Sequence, residues 1–126
     1  MRKVMVVDDT EVQREALVCL LRRDGYETLA ADNAADALRL LRQQTPDLLL
    51  LDVNMPGVDG LDLLEMRRDD PRWESVPVIM VTGCTDADCV ERAERLGANE
   101  YVLKGSFSPE EMIGHVKRHT RQDLSS

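Results

Sequence analysis

Asp47-Leu48-Leu49-Leu50-Leu51-Asp52-Val53-Asn54-Met55-Pro56-Gly57 is the stretch on which the reading of the whole chain turns. Four leucines in a row cannot form an amphipathic surface strand. They fit a short strand buried on both faces, as in the middle of a parallel sheet. Asp52 stands where that strand runs out, and Pro56 and Gly57 break the chain into a turn just beyond it. The carboxyl end of a buried parallel strand is where open α/β sheets place their ligands. Taken alone, Asp52 could equally do no more than start the turn.

The pattern recurs. Val4-Met5-Val6-Val7 ends in Asp8-Asp9, Val78-Ile79-Met80-Val81 ends in Thr82-Gly83, and Tyr101-Val102-Leu103 ends in Lys104-Gly105. If these runs are parallel strands, their ends share one edge of the sheet. Asp8, Asp9, Asp52, the Thr82 hydroxyl and the Lys104 ammonium then converge on one patch. One aspartate at a strand end is ordinary; a full set at successive strand ends needs a shared cause.

Helical patterns fill the intervals. Thr10 with Gln13 reads as a capping box, followed by an apolar face of Val12, Ala16, Leu17, Leu20 and Leu21. Cys19 falls on the apolar side of that helix and reads as core. Asp24-Gly25 closes the helix, and Tyr26 to Ala30 is a short, weak strand suited to an edge. Asn33 caps a second helix carrying Ala34, Ala37, Leu38 and Leu41. Asp59-Gly60 opens a third, with Leu61 and Leu64, reaching about Arg68. Asp69 to Glu74 is a polar loop in which Trp73, the only tryptophan, packs against the helix end. Val76 to Val81 is the next buried strand. Thr85 and Asp88 offer a cap for a fourth helix, with Val90, Ala93 and Leu96 as a narrow apolar stripe. Ser108-Pro109-Glu110-Glu111 starts the last helix, which carries Met112, Ile113 and Val116 and frays from about Thr120. Five repetitions of strand then helix predict a parallel sheet with helices on both faces and right-handed crossovers.

The 126 residues suit one domain, and no second domain is expected. Hydrophobic residues make up 43%, enough for a core, but aromatics only 3%, so Leu, Val, Ala and Met must build it. No apolar run approaches a membrane span of about 18 residues. The chain enters a strand pattern at once, leaving no room for a signal peptide, so a cytoplasmic protein is expected. A net charge of -8 argues against gripping nucleic acid through its phosphates. The same excess suits a divalent cation, although most of it serves solubility. Cys19, Cys84 and Cys89 are odd in number and form no CxxC, so neither a disulfide framework nor a zinc site is indicated. Cys84 follows Thr82-Gly83 at the rim of the patch, where a redox role is open to it; inert cysteines are the usual case. His115 and His119 have a spacing that can hold a metal, but no glutamate motif accompanies them, and a solvent-facing pair is the better reading.

Three aspartates brought together repel one another. A hard divalent cation relieves that repulsion, and carboxylates, a backbone carbonyl and water make an Mg²⁺ site. An aspartate beside such a cation can attack a phosphoryl group and become an aspartyl phosphate. Lys104 and Thr82 would bind the phosphoryl oxygens and stabilise the in-line transfer.

With these residues in this order, the sequence resembles the receiver domains of two-component response regulators, from Val4 to about Arg118. The resemblance rests on Asp8-Asp9, the Asp52-to-Gly57 turn, Thr82-Gly83 and Tyr101-Val102-Leu103-Lys104 at the expected intervals. It implies a CheY-like, flavodoxin-like doubly wound (βα)5 sheet in strand order 2-1-3-4-5, with the receiver domain over residues 1–122 and a short tail over 123–126. Asp52 is implied as the phosphoacceptor, charged by a sensor histidine kinase or a histidine phosphotransfer protein. Asp8, Asp9, Asp52 and the Asn54 backbone carbonyl are implied to hold Mg²⁺ or Mn²⁺, Asp9 directly and Asp8 through water. Thr82 resembles the switch hydroxyl, Tyr101 the switch aromatic and Lys104 the lysine of the phosphoryl site. Such a domain is not an enzyme on a separate substrate; it catalyses only its own phosphorylation and dephosphorylation. Its output surface would be the fourth helix, last strand and last helix. Glu91, Arg92, Arg95, Glu100 and Arg118 could there form charge pairs across a homodimer, with the reservation that exposed charges pair weakly.

Two positions depart from the family pattern. Gly83 stands where alanine is frequent. Gly105 and then Ser106 follow Lys104, where the family has a proline after a typically cis bond. A cis bond to a non-proline residue costs about 2.5–4 kcal/mol, so a trans Lys104–Gly105 bond is expected, with Gly105 absorbing the turn at positive φ and Lys104 still aimed at Asp52. A haloacid-dehalogenase-type phosphatase would need its first two aspartates one residue apart, and Asp8 and Asp9 are adjacent. A flavodoxin would need a hydroxyl-rich phosphate loop where Asp8-Asp9 stands, and no glycine-rich nucleotide fingerprint occurs. The remaining alternative is a receiver-like interaction module that is never phosphorylated.

Overall fold

The computed structural model describes residues 2–55 and 57–120. Five strands alternate with five helices: β1 (Lys3–Val7), α1 (Glu11–Arg23), β2 (Glu27–Ala31), α2 (Ala34–Gln43), β3 (Leu48–Leu51), α3 (Gly60–Asp69), β4 (Val78–Thr82), α4 (Ala87–Arg95), β5 (Glu100–Leu103) and α5 (Pro109–Thr120). All pairings are parallel and the strand order is β2-β1-β3-β4-β5. This is the doubly wound order expected from the sequence, with β2 at an edge. The 123–126 tail, Pro56 and any fraying past Thr120 lie outside the described residues.

The leucine run is buried on both sides, as its composition requires. Alternate residues serve two cores. Leu49 and Leu51 join Met5, Val7, Val78 and Met80 beneath α2, α3 and α4. Leu48 and Leu50 join Val4, Val6, Ile79, Val81 and Val102 beneath α1 and α5. Fully burying each leucine contributes about 1.5–3 kcal/mol, so β3 alone anchors much of the domain.

Several helix starts carry the expected chemistry. Asn33 Oδ1 accepts the Asp36 N–H at 2.8 Å. Ser108 and Glu111 cap each other reciprocally, at 3.1 and 2.7 Å. Asp59 and Asp62 form a full capping box on α3. Trp73 is buried, with the Arg72 guanidinium 4.5 Å over its ring.

Three local readings are corrected. Thr10 makes no side-chain cap; its N–H donates to Asp8 Oδ1 at 2.9 Å, so Asp8 takes the N–H that Gln13 would accept in a capping box. The buried stripe of α1 is Leu17, Val18 and Leu21, while Val12 is 78% exposed and Cys19 is exposed rather than core. At about 3.6 residues per turn, Val12 and Cys19 fall on the face of α1 opposite Leu17, Val18 and Leu21. The fourth helix begins after Asp86, without a side-chain cap from Thr85 or Asp88.

Gly60 has a steric duty. Its N–H donates to the Val53 carbonyl at 2.8 Å, and a Cβ at this position would meet the Asp52 carbonyl oxygen at 1.9 Å. Gly60→Ala must therefore push α3 off the loop that follows β3. The expected cost is about 1–3 kcal/mol, as for other overpacked sites. Urea unfolding should show a lower midpoint with an unchanged m-value.

Candidate functional site

The register aligns Val7 with Leu51, Leu51 with Met80, and Thr82 with Leu103. Residues just past these positions therefore gather at one edge of the sheet. Asp8 and Asp52 are both buried there, at 2% and 3% exposure, while Asp9 is exposed. Oxygens of the three carboxylates lie within 4.8 Å of one another.

Lys104 reaches into this group. Its Nζ donates to Asp52 Oδ2 at 2.9 Å and stands 2.9 Å from Asp8 Oδ2. The second contact is ionic without hydrogen-bond alignment, which leaves Asp8 Oδ2 a buried oxygen with no hydrogen-bond partner. Burial opposes the Lys104 charge, but the Asp52 and Asp8 carboxylates outweigh burial and raise its pKa. Asp52 Oδ1 accepts the Asn54 N–H at 3.3 Å, and the Asp8 carbonyl accepts from Arg14 Nη1 at 2.9 Å. A hard cation fits this donor set: three carboxylates close together, two of them buried.

Thr82 is fully buried at the end of β4. Its Oγ1 accepts the Cys84 N–H at 3.2 Å. The half-buried Tyr101 donates its hydroxyl to the Cys84 carbonyl at 2.7 Å. Burial first, and Cys84 second, push the Tyr101 pKa well up, so its proton stays on. Thr82 and Tyr101 thus grip the same backbone residue from two strands.

The described residues contain no cis peptide bond, so Lys104–Gly105 is trans, and Gly105 has φ +80°. The Ser106 N–H and hydroxyl both donate to the Leu103 carbonyl, at 3.2 and 2.6 Å. The chain after Lys104 turns through Gly105 while the lysine keeps its aim at Asp52.

The histidine pair is corrected. His115 and His119 are half-buried and face Glu100, the first residue of β5. His115 Nδ1 lies 2.5 Å from Glu100 Oε1, and His119 Nε2 and Arg118 Nη1 lie 2.6 and 2.8 Å from Oε2. The helical spacing of 115, 118 and 119 was visible in the sequence; the acidic partner opening the neighbouring strand was the missed signal. Burial pushes the Glu100 carboxyl up, but His119, His115 and Arg118 outweigh it and hold the pKa below the usual range.

The family model described as the response regulator receiver domain matches residues 4–117. The chain belongs to this family, the receiver domains of two-component response regulators. It is 34% identical over 122 residues to the DNA-binding response regulator MtrA of Mycolicibacterium smegmatis, covering 97% of this chain and 52% of MtrA. It is 35% identical over 103 residues to the polar-differentiation response regulator DivK of Brucella anthropi, covering 82% of this chain and 84% of DivK. A putative response regulator from Chloroflexus aurantiacus superposes with a TM-score of 0.88 at 32% identity, over 96% of this chain and 98% of that one. The chemotaxis protein CheY4 of Vibrio cholerae gives 0.87 at 28% identity, over 94% and 98%. The chain spans about half the length of MtrA and of the similar PhoB of Pseudomonas aeruginosa. No helix among the described residues is long and apolar enough to cross a membrane.

The depressed Glu100 pKa sets a pH window. Its stabilisation is full above the unfolded carboxyl pKa, about 4.3, and is lost as pH falls through the lower folded value. Glu100→Gln should therefore melt below the parent at neutral pH, with the gap closing in acid below about pH 4. Thermal melts across pH 3 to 8 (a range of about five units) check this.

Proposed function

We propose that Asp52 accepts a phosphoryl group from a phosphohistidine, on a sensor histidine kinase or a histidine phosphotransfer protein, and holds it as an aspartyl phosphate. The observation that carries this reading is the buried Asp52 carboxylate held 2.9 Å from the Lys104 ammonium at a strand end. As the phosphorus–nitrogen bond breaks, a bond forms from phosphorus to an Asp52 oxygen. Lys104 then trades its carboxylate contact for a phosphoryl oxygen and stabilises the charge it carries. The Thr82 hydroxyl leaves the Cys84 N–H for another phosphoryl oxygen. Asp8, Asp9, Asp52 and the Asn54 carbonyl would hold Mg²⁺ or Mn²⁺, which when bound offsets the negative charge of carboxylates and phosphoryl group alike. The domain, residues 1–122, acts on no separate substrate; its catalysis is its own phosphorylation and dephosphorylation.

The output follows from the shared grip on Cys84. When Thr82 moves, Tyr101 loses the geometry of its bond to the Cys84 carbonyl and turns inward. The result is a shift between two packings of the face made by α4, β5 and α5. A homodimer through that face would have to exchange existing contacts. Glu100 and Arg118 already pair with each other, and Arg92 already pairs with Asp62 and Glu65 of α3.

Acetyl phosphate with Mg²⁺ should label the protein, and Asp52→Asn should lose the label. Lys104→Met should slow labelling on the order of 100-fold, as for other lost charge-stabilising donors. Equal labelling of Asp52→Asn would refute the phosphoacceptor, and no labelling of the parent would favour the unphosphorylated interaction module.

Mg²⁺ should also raise the melting temperature of the parent. Linkage gives about 2.7 kcal/mol at a hundredfold excess over Kd. Asp9→Ala should lose that rise; a titration in which it stabilises as much as the parent would remove Asp9 from the metal set.

A further inference from the structure

Cys84 and Cys89 straddle the start of α4. Cys84 lies in the loop after β4, and Cys89 lies in the first turn of the helix. Their sulfurs are 2.6 Å apart, inside the separation of two sulfurs that merely touch. Both are half-buried free thiols. Nothing in the phosphoryl-transfer chemistry uses either sulfur.

We propose that Cys84 and Cys89 form a reversible intramolecular disulfide, making the junction of β4 and α4 a site of oxidative modification. The oxidant class is a hydroperoxide. The contact with Cys84, then burial, push the Cys89 thiol up to about 11, so Cys89 keeps its proton at neutral pH and serves as the resolving thiol. The Cys84 sulfur forms a bond to one peroxide oxygen as the oxygen–oxygen bond breaks, and the hydroxide that leaves takes up the Cys84 thiol proton as water. Cys84 is then a sulfenic acid. The Cys89 sulfur attacks the Cys84 sulfur, the sulfur–oxygen bond breaks, and the Cys89 proton leaves with that oxygen as a second water. Two thiols lose two electrons and two protons, and one hydrogen peroxide becomes two waters. A dithiol reverses the bond by exchange.

The geometry favours this over a metal. Cys84, Asp86 and Cys89 can bring three ligand atoms together, but Asp86 is exposed, and a structural zinc site takes four protein ligands. The disulfide would act where the switch acts. It ties to α4 the one residue whose N–H is held by Thr82 and whose carbonyl is held by Tyr101. That consequence rests on the function proposed above; the bond itself does not.

The test treats the reduced chain with hydrogen peroxide and counts thiols. The titre should fall from three to one, with Cys19 the thiol that remains. The tryptic peptide ending at Arg92 should carry both cysteines, lose two hydrogens and resist alkylation until a dithiol is added. Cys19→Ser should leave that shift in place, and Cys84→Ser or Cys89→Ser should abolish it. An unchanged titre, sulfinic acid on either cysteine, or a dimer linked through Cys19 would overturn the proposal. So would stoichiometric Zn²⁺ binding that the single variants abolish while peroxide leaves the thiols intact. Acetyl phosphate labelling of the reduced and oxidised forms separates the two proposals. A disulfide that forms in a protein never labelled leaves the redox site standing and removes the phosphoacceptor; normal labelling with no disulfide does the reverse. If both hold, oxidised protein should resist the Tyr101 rearrangement, and an identical phosphorylation-induced change in both forms would refute the coupling.

Discussion

Two buried carboxylates, Asp8 and Asp52, share one ammonium. Everything else at the sheet edge is arranged around that imbalance. Removing one partner from a buried ion pair typically costs about 3–5 kcal/mol, because the other charge is left uncompensated. The fold must therefore hold β1, β3 and the residue after β5 in fixed register. The leucines cannot do this, because a slip of β3 by one residue replaces leucine with leucine on both faces. The polar residues at its two ends do it. The Asp47 N–H donates to the Lys3 carbonyl at 2.7 Å and Asp47 Oδ2 accepts the Lys3 N–H at 2.7 Å. At the other end the Asp52 N–H donates to the Val7 carbonyl at 3.0 Å. The apolar run supplies the stability, and the aspartates that bracket it supply the alignment.

The two sides of the site differ in how firmly they are fixed. The loop after β3 is closed by the Asp59–Asp62 capping box and by the contact of Gly60 with the Asp52 and Val53 backbone. The loop after β4 is held at the Cys84 backbone by Thr82 and Tyr101 but has no capping box. Its helix, α4, is nine residues long and lacks a side-chain cap, and its buried residue within the helix is Ala93. Local stability follows buried apolar contacts and satisfied ends. The Asp52 side of the sheet edge is thus more firmly fixed than the α4 side.

Most of this could be read from the residues, and the exceptions have physical causes. Strand identity followed from apolar runs and their polar ends, and the strand order from the resemblance to receiver domains. The convergence of Asp8, Asp9, Asp52 and Lys104 needed only that the strands be parallel. Val12 and Cys19 were misplaced because the apolar side was drawn too wide: both fall on the face of α1 opposite the buried Leu17, Val18 and Leu21. The capping box failed at its Gln13 half because Asp8, held by the strand, accepts the Thr10 N–H in its place. Contacts between distant segments left no pattern to read. Arg67 is buried with its Nε on the Val76 carbonyl at 2.9 Å, and Glu100 gathers three side chains of α5. Cys84 and Cys89, five residues apart, come together only because the helix starts between them.

The Lys104 loop shows how a family geometry can be reached by another route. The lysine must leave β5 pointing at Asp52 while the chain turns away toward the Ser108 cap. A proline after the lysine can make that turn through its peptide bond. Here the turn is made at φ instead: Gly105 sits at +80°, a region closed to most side chains. Ser106 then closes the turn by placing both its N–H and its hydroxyl on the Leu103 carbonyl. The strand fixes where the lysine stem begins, since the Lys104 N–H donates to the Thr82 carbonyl at 2.9 Å. The aim of the ammonium is therefore set upstream of the turn, by β4 and β5, and the two carboxylates draw it the rest of the way. What the loop must supply is only a change of direction after the lysine, and a glycine with one added serine is sufficient for that.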